Sequence, residues 1–129
     1  MKKKTISQIQ KELWELCKIL IRKKYNLGND TWKCYTCDKI ITDKQNAHTA
    51  HFLPKASCGS YLKYDLRNLR VCCYNCNINL GGNGAEFYRR MVEREGQEYV
   101  DTLFSDKQKN IKAYDYFIQL CEEYKSMLE

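Results

Sequence analysis

The sequence predicts an α+β fold in which a small cysteine-rich core lies between N-terminal and C-terminal helices. Apolar residues recur at three-and-four spacing near both ends, as in amphipathic helices, whereas short segments typical of strands lie in the middle. Two C-x-x-C steps, Cys34/Cys37 and Cys73/Cys76, enclose these segments. A length of 129 residues suits a single domain. Its parts are an N-terminal helix, a core and a helical C-terminal part, at residues 1–28, 32–84 and 85–129.

The first helix is predicted from Ser7 to Tyr25. Its apolar face consists of Ile9, Leu13, Leu16, Cys17, Leu20 and Ile21. Asn26, Gly28 and Asn29 then favour an end of the helix. A basic side is formed by Lys11, Lys18, Arg22, Lys23 and Lys24. We interpret this side as a solvated face, with DNA contact as the alternative.

The cysteine spacing predicts a metal site. The apolar segment Trp32–Ile41 is interrupted by two cysteines, which favours a zinc-knuckle turn over a continuous strand. Each C-x-x-C step presents two sulfurs to one edge of a tetrahedral ion. Four thiolates leave no open position for water, so we expect a structural Zn²⁺ ion. Its predicted ligands are Cys34, Cys37, Cys73 and Cys76.

A hairpin and a short helix are predicted between the two halves of the zinc site. Residues His48–Leu53 alternate as in a strand, and Pro54 ends it. A basic and aromatic loop covers residues 55–65, and Leu66–Cys72 forms the second strand. A helix then begins at Cys73, with Cys76 and Asn77 in its first turn, and Gly81, Gly82 and Gly84 break it.

The C-terminal part is predicted to be helical from Ala85 onward, with a last helix that begins near Asp106. The apolar stripe of that helix comprises Ile111, Tyr114, Phe117, Ile118, Cys121, Tyr124 and Leu128. We interpret this stripe as core packing or as the interface of a homodimer.

His48 and His51 are the only histidines, and the zinc knuckle brackets the segment that holds them. Phosphodiester hydrolysis needs a base with a pKa near neutrality, which imidazole provides. It also needs a divalent cation, and the amide oxygen of Asn77 suits Mg²⁺. We therefore expect His51 to act as the general base and Asn77 to bind Mg²⁺ or Mn²⁺.

The run L-R-N-L-R-V-C-C-Y-N-C-N, residues 66–77, resembles the second half of the HNH (ββα-metal) endonuclease motif. The resemblance implies a ββα-metal core. It also implies that His51 is the general base, that Asn77 is the metal ligand on the helix, and that Asn68 is the middle Asn, which braces the loop between the strands.

Within the HNH proteins the chain is similar to the phage NinG/Rap recombination family. The similarity covers residues 34–106 and is carried by A-H-F at 50–52, L-K-Y-D-L-R-N at 62–68, C-Y-N-C-N at 73–77, G-N-G at 82–84 and E-F-Y-R-R at 86–90. It implies a nuclease that acts on branched DNA, such as Holliday junctions, during phage recombination. One departure is Ala50, where many HNH enzymes have an Asp or His that binds the metal. Either His48, on the same strand face, or water takes that place.

The net charge of +6 favours a polyanionic partner. Predicted phosphate contacts are Lys55, Lys63, Arg67, Arg70, Arg89 and Arg90. We expect a cytoplasmic protein with reduced thiols, in the bacterial host if the chain is phage-encoded, because no export signal or membrane span is apparent. Two alternatives to a nuclease are a non-catalytic zinc-knuckle module that binds nucleic acid or protein, and a zinc-stabilised scaffold that dimerises.

Overall fold

The computed structural model describes residues 3–129. Within this part of the chain, five α-helices and two small antiparallel sheets confirm the predicted α+β class. The helices are α1 (Ile6–Tyr25), α2 (Ser60–Lys63), α3 (Gly84–Glu95), α4 (Gln97–Ser105) and α5 (Tyr114–Ser126). The strands are β1 (Trp32–Lys33), β2 (Ile40–Ile41), β3 (His48–His51) and β4 (Leu69–Cys72). No helix within residues 3–129 has the length and apolar character needed to cross a bilayer.

Helix α1 begins at a reciprocal pair of cap hydrogen bonds. The Gln8 amide donates to the Thr5 hydroxyl at 3.1 Å, and the Thr5 amide donates to the Gln8 side chain at 2.9 Å. The six apolar positions predicted from the sequence are all buried. The predicted helix and its core-facing stripe are therefore confirmed.

Helix α5 packs along α1 and places Phe117, Cys121 and Tyr124 in the core. The predicted start near Asp106 is wrong, because α5 begins at Tyr114. Residues 107–111 instead bond to the basic loop. The Gly59 amide donates to the Lys107 carbonyl at 2.7 Å and the Tyr61 amide to the Lys109 carbonyl at 3.2 Å.

The packing of α5 also corrects the proposed use of its apolar stripe as a dimer interface. Its most apolar members are covered by the rest of the same chain, and Ile111, Tyr114, Ile118 and Leu128 pack partly against the core. The stripe is therefore core packing, the first of the two interpretations.

Strands β3 and β4 form the central hairpin, in which His48 pairs with Cys72 and His51 with Leu69. Both strands are shorter than predicted. Leu66–Asn68 forms a 3₁₀ turn because the Asp65 carboxylate caps it at the Arg67 amide. The predicted loop 55–65 contains one helical turn, α2.

Strands β1 and β2 form a second hairpin, whose turn carries Cys34 and Cys37. The helix predicted from Cys73 is a single π-helical turn, Asn75–Asn79. Asn77 lies in the middle of this turn rather than in the first turn of an α-helix. The chain then turns through Gly81 and Gly82, both with positive φ, before α3 begins.

Candidate active site and metal centre

The four predicted zinc ligands come together. The Sγ atoms of Cys34, Cys37, Cys73 and Cys76 all lie within 4.8 Å of one another. Zn–S bonds of about 2.3 Å in a tetrahedron require S···S distances of roughly 3.8 Å. The Cys37 and Cys73 sulfurs are 3.7 Å apart, so the residues fit a zinc ion.

Backbone and side-chain donors surround these sulfurs, as expected of a thiolate site. The Cys73 amide donates to Cys34 Sγ at 3.2 Å, and the Cys76 amide donates to Cys73 Sγ at 3.5 Å. Asn83 Nδ2 lies 3.6 Å from Cys76 Sγ. Cys17, Cys58, Cys72 and Cys121 lie outside the cluster.

His48, at the start of β3, and Asn77, in the π-helical turn after β4, are hydrogen-bonded to each other. Asn77 Nδ2 is 3.0 Å from His48 Nδ1, and the His48 ring meets the edge of Tyr74 at a centroid distance of 5.6 Å. Both side chains remain partly exposed. A flip of the Asn77 amide exchanges its nitrogen and oxygen, and a cation that replaced the hydrogen bond would then have Asn77 Oδ1 and His48 Nδ1 as donors. Mg²⁺ prefers oxygen ligands, so the imidazole nitrogen favours Mn²⁺.

His51 is held by different neighbours. Its Nε2 is 2.9 Å from the Lys63 carbonyl oxygen, and its ring stacks on Trp14 of α1 at 5.0 Å and 12°. Because a carbonyl only accepts, Nε2 carries the proton and Nδ1 is left as the basic nitrogen. Burial lowers the pKa of His51 below its ordinary value, and the charges of Lys55 and Lys63 act in the same direction, whereas the bond to the Lys63 carbonyl opposes the shift. The net shift favours the neutral ring.

The structure thus brings Asn77 to His48, whereas the hydrogen bond and stacking contact of His51 are with Lys63 and Trp14. The two histidines are three positions apart, so alternation along β3 directs them to opposite faces. The expectation that His51 and Asn77 meet at one phosphate remains a prediction.

Asn68 is completely buried beside this hairpin. Its Oδ1 accepts from the Leu53 amide at 2.8 Å, while its Nδ2 donates to the carbonyls of Leu53 at 3.1 Å and Leu62 at 3.4 Å. These bonds join the segment after β3 to the segment before β4. They are consistent with the loop-bracing role that the family resemblance implies.

Arg70 is a correction to the predicted phosphate contacts. Its side chain is only 3% exposed, and Nη1 donates to the Leu69 and Arg67 carbonyls at 2.7 and 3.1 Å. Nη2 bonds to Tyr99 and lies 3.4 Å from Glu95. Arg70 therefore stabilises the interior and cannot reach DNA.

Three further predicted contacts are already engaged in ion pairs. Arg67 binds Asp65 through two nitrogens at 2.7 and 3.1 Å. Arg89 and Arg90 share Glu86, and Arg90 also reaches Asp38 at 2.8 Å. These pairs offset the positive charge that DNA would meet, so phosphate contact by these residues would have to displace a carboxylate.

Lys55 and Lys63 instead line a cavity of about 240 Å³ next to His51. The opposite wall belongs to α1 and contains Lys11 and Trp14. The sequence pattern places Lys11 on a solvated face and predicts no role for Trp14. The wall could have been predicted from the sequence, because residues 7, 10, 11 and 14 have the spacing of residues on one face of a helix.

Residues 34–93 match the family model described as HNH endonuclease. The matched segment contains all four clustered cysteines, both histidines and the two asparagines predicted for the site. It is similar to HNH endonucleases, which supports metal-associated nuclease chemistry of the hydrolase class. No curated protein and no solved structure matches the chain. The closer resemblance to the NinG/Rap family stays a prediction.

Proposed function

We propose that this chain is a metal-dependent endonuclease that hydrolyses phosphodiester bonds in DNA. The observation that carries the proposal is the HNH match over the segment that displays His51 and the His48–Asn77 pair. The hydrophobic core includes residues from the first helix to the last, which supports treating 1–129 as one nuclease domain. The cytoplasm, where thiols stay reduced, is the expected compartment.

His51 is the proposed general base. With Nε2–H bound to the Lys63 carbonyl, Nδ1 accepts a proton from the attacking water. The lowered pKa favours the unprotonated form of this nitrogen. Burial and stacking also restrict the ring to one orientation, which reduces the entropy lost on reaching the reactive arrangement.

Asn77 and His48 are the proposed cation ligands, with His48 in place of an acidic residue at position 50. A bound Mg²⁺ or Mn²⁺ ion would stabilise negative charge on the phosphate and on the leaving oxygen. Their contact at 3.0 Å supports this assignment. His51 points to the other face of β3. The DNA must therefore lie across the edge of this strand, so that one phosphate is close to both the cation and the water beside His51.

The test uses purified protein with a supercoiled plasmid and a linear duplex in Mg²⁺, Mn²⁺ or EDTA. We expect cation-dependent nicking that falls at least about 100-fold in His51→Ala, because a positioned base contributes about 10²–10⁴-fold. His48→Ala and Asn77→Ala should raise the cation concentration needed for half-maximal rate. Asn79→Ala, an exposed neighbour in the same π-helical turn, is the matched control.

A wild type that binds DNA without cutting it under any of these conditions contradicts the nuclease proposal. That result favours the non-catalytic module, for which the absence of an acidic side chain at Ala50 is the specific argument. If Asn77→Ala keeps the cation dependence of the wild type, Asn77 is not a cation ligand.

The finer proposal is that the substrate is branched DNA, such as a Holliday junction in phage recombination. Its support is the sequence similarity to the NinG/Rap family over residues 34–106. Resolving a junction takes two nicks, so a homodimer with paired sites is part of this proposal. Its interface must lie away from the buried face of α5. We expect the protein to cut a four-way junction in preference to a duplex and to sediment as a dimer on the junction. A monomer that cuts both substrates equally contradicts this proposal.

A further inference from the structure

The cavity beside His51 has a wall that lies outside the segment similar to HNH endonucleases. Ser7, Gln10, Lys11 and Trp14 of α1 line it, while Lys55 and Lys63 line the other side. Its volume is about 240 Å³, and it is open to solvent. A space of this size admits a phosphate group together with part of its sugar.

The charge of this cavity is positive. Lys11, Lys55 and Lys63 come from three separate parts of the fold, and none of them forms an ion pair within residues 3–129. The remaining titratable groups of the lining are His51, whose pKa is lowered by burial, and Tyr64, whose phenol pKa is raised by burial. Three ammonium groups therefore face one opening with no acidic group in the lining.

Trp14 limits how the His51 ring can move. The indole lies 5.0 Å from the imidazole at an interplanar angle of 12°, which holds the plane of the ring. The bond from Nε2 to Lys63 then sets which edge of the ring faces outward. Stacking and hydrogen bond together fix the position of Nδ1.

We propose that α1 forms part of the active site. Lys11, together with Lys55 and Lys63, binds a DNA phosphate next to the one that is cut, and Trp14 is a positioning residue for His51. This inference rests on the proposed nuclease function, and it adds a substrate contact and a positioning residue from outside the matched segment.

The phosphate contact is tested with Lys11→Gln, using Lys23→Gln as the control on an exposed part of the same helix. Both variants are compared with wild type in duplex binding and in cleavage across a range of salt. We expect Lys11→Gln to weaken binding about three- to tenfold, raise KM with kcat unchanged, and reduce the salt slope by about one. Equal effects of the two substitutions overturn the contact.

The positioning role is tested with Trp14→Leu and Trp14→Phe. Leucine removes the stacking and should lower kcat about tenfold. It should also expose more of the His51 ring to water, which raises its pKa toward the ordinary value and moves the acid limb of the pH profile upward, because activity is lost as pH falls through that pKa. Phenylalanine restores stacking and should keep both properties near wild type. Equal kcat and pH profiles in wild type and Trp14→Leu overturn this role.

The pKa of His51 is also measured by NMR titration in wild type and both Trp14 variants, which needs no activity. A protein that binds DNA but never cuts it contradicts the proposed function. The DNA affinity of Lys11→Gln and the NMR titration of His51 still test the present inference in that case. A wild type that cuts DNA, with Lys11 and Trp14 variants like wild type, fails the inference alone. If Trp14→Leu does not fold, the phosphate contact is still tested by the exposed Lys11 variant and the positioning role by Trp14→Phe. Loss of activity in a folded Trp14→Phe protein contradicts the positioning role.

Discussion

At the scale of single residues, Asn68 is the side chain on which the geometry of the central hairpin most depends. Its side-chain amide bonds to the N–H and the carbonyl of Leu53 and to the carbonyl of Leu62, which also accepts from the Asp65 amide. A buried amide that meets both donors and acceptors specifies one arrangement of the backbone. Asn68 therefore joins the two ends of the loop that carries Lys55 and Lys63.

Asn68→Ala should lower the free energy of unfolding by about 2–3 kcal/mol, because it leaves buried backbone groups unpaired. The measurement is urea denaturation followed by circular dichroism. Asn79→Ala, which removes only an exposed bond to Asn75, should change stability by less than about 0.5 kcal/mol. Similar losses in the two variants would show that the Asn68 bonds are not important for stability.

At the scale of elements, the basic loop keeps its shape by pairing with residues 107–111. Gly59 is required there, because a Cβ atom at this position would clash with the Lys109 carbonyl. The Ser60 hydroxyl and the Ile111 backbone then bond to each other at 2.7 and 3.0 Å. The same residues lie before α5, which starts later than the apolar pattern predicts.

Gly59→Ala should destabilise the protein by about 1–3 kcal/mol, because backbone must move to make room for the methyl group. Gly84→Ala is the matched control. Gly84 has open space around it at the start of α3, so alanine there should be neutral or slightly stabilising. Thermal unfolding of both variants measures the difference, and a stable Gly59→Ala protein would contradict the close approach.

The zinc cluster is a second element-scale feature, since it joins the β1–β2 hairpin to the turn after β4. We expect one Zn²⁺ per chain by elemental analysis, loss of that zinc in Cys73→Ser, and unfolding of this region on chelation. Cys58→Ser, outside the cluster, should retain zinc. Full zinc content in Cys73→Ser would exclude this residue as a ligand.

At the scale of the whole molecule, the basic side chains differ in whether they are free to contact a polyanion. The arginines at positions 67, 89 and 90 are paired with carboxylates and Arg70 is buried, whereas the lysines around His51 are unpaired within the described residues. Other exposed lysines, such as Lys23, Lys33 and Lys39, also form no ion pair within the described residues. What distinguishes the lysines around His51 is that they line one cavity beside a candidate base.

A Lys55→Gln, Lys63→Gln double variant should weaken duplex binding by about tenfold or more at low salt and reduce the salt slope by about two. Arg89→Gln should leave the affinity within about twofold, because this arginine already binds Glu86 and Glu93. Fluorescence anisotropy at several salt concentrations measures both. A larger loss in Arg89→Gln than in the double variant would place DNA on α3 instead.

The sequence was sufficient to predict α1, the hairpin and the cysteine cluster, because helical spacing, strand alternation and C-x-x-C steps are local patterns. It did not predict the stacking of Trp14 on His51 or the burial of Arg70, since both depend on which elements meet in space. The π-helical turn at Asn77 was also missed. Its i→i−5 hydrogen bond runs from the Leu80 amide to the Asn75 carbonyl at 2.9 Å, and two glycines with positive φ follow it.

The packing of α1 on α5 has a consequence for biosynthesis. The first helix emerges from the ribosome long before Phe117 and Tyr124, which cover its apolar stripe. Contacts between such distant parts of a chain form late. A nascent chain that does not yet include α5 thus exposes the apolar side of α1, and chaperones that bind hydrophobic segments should protect this helix until α5 has been synthesised.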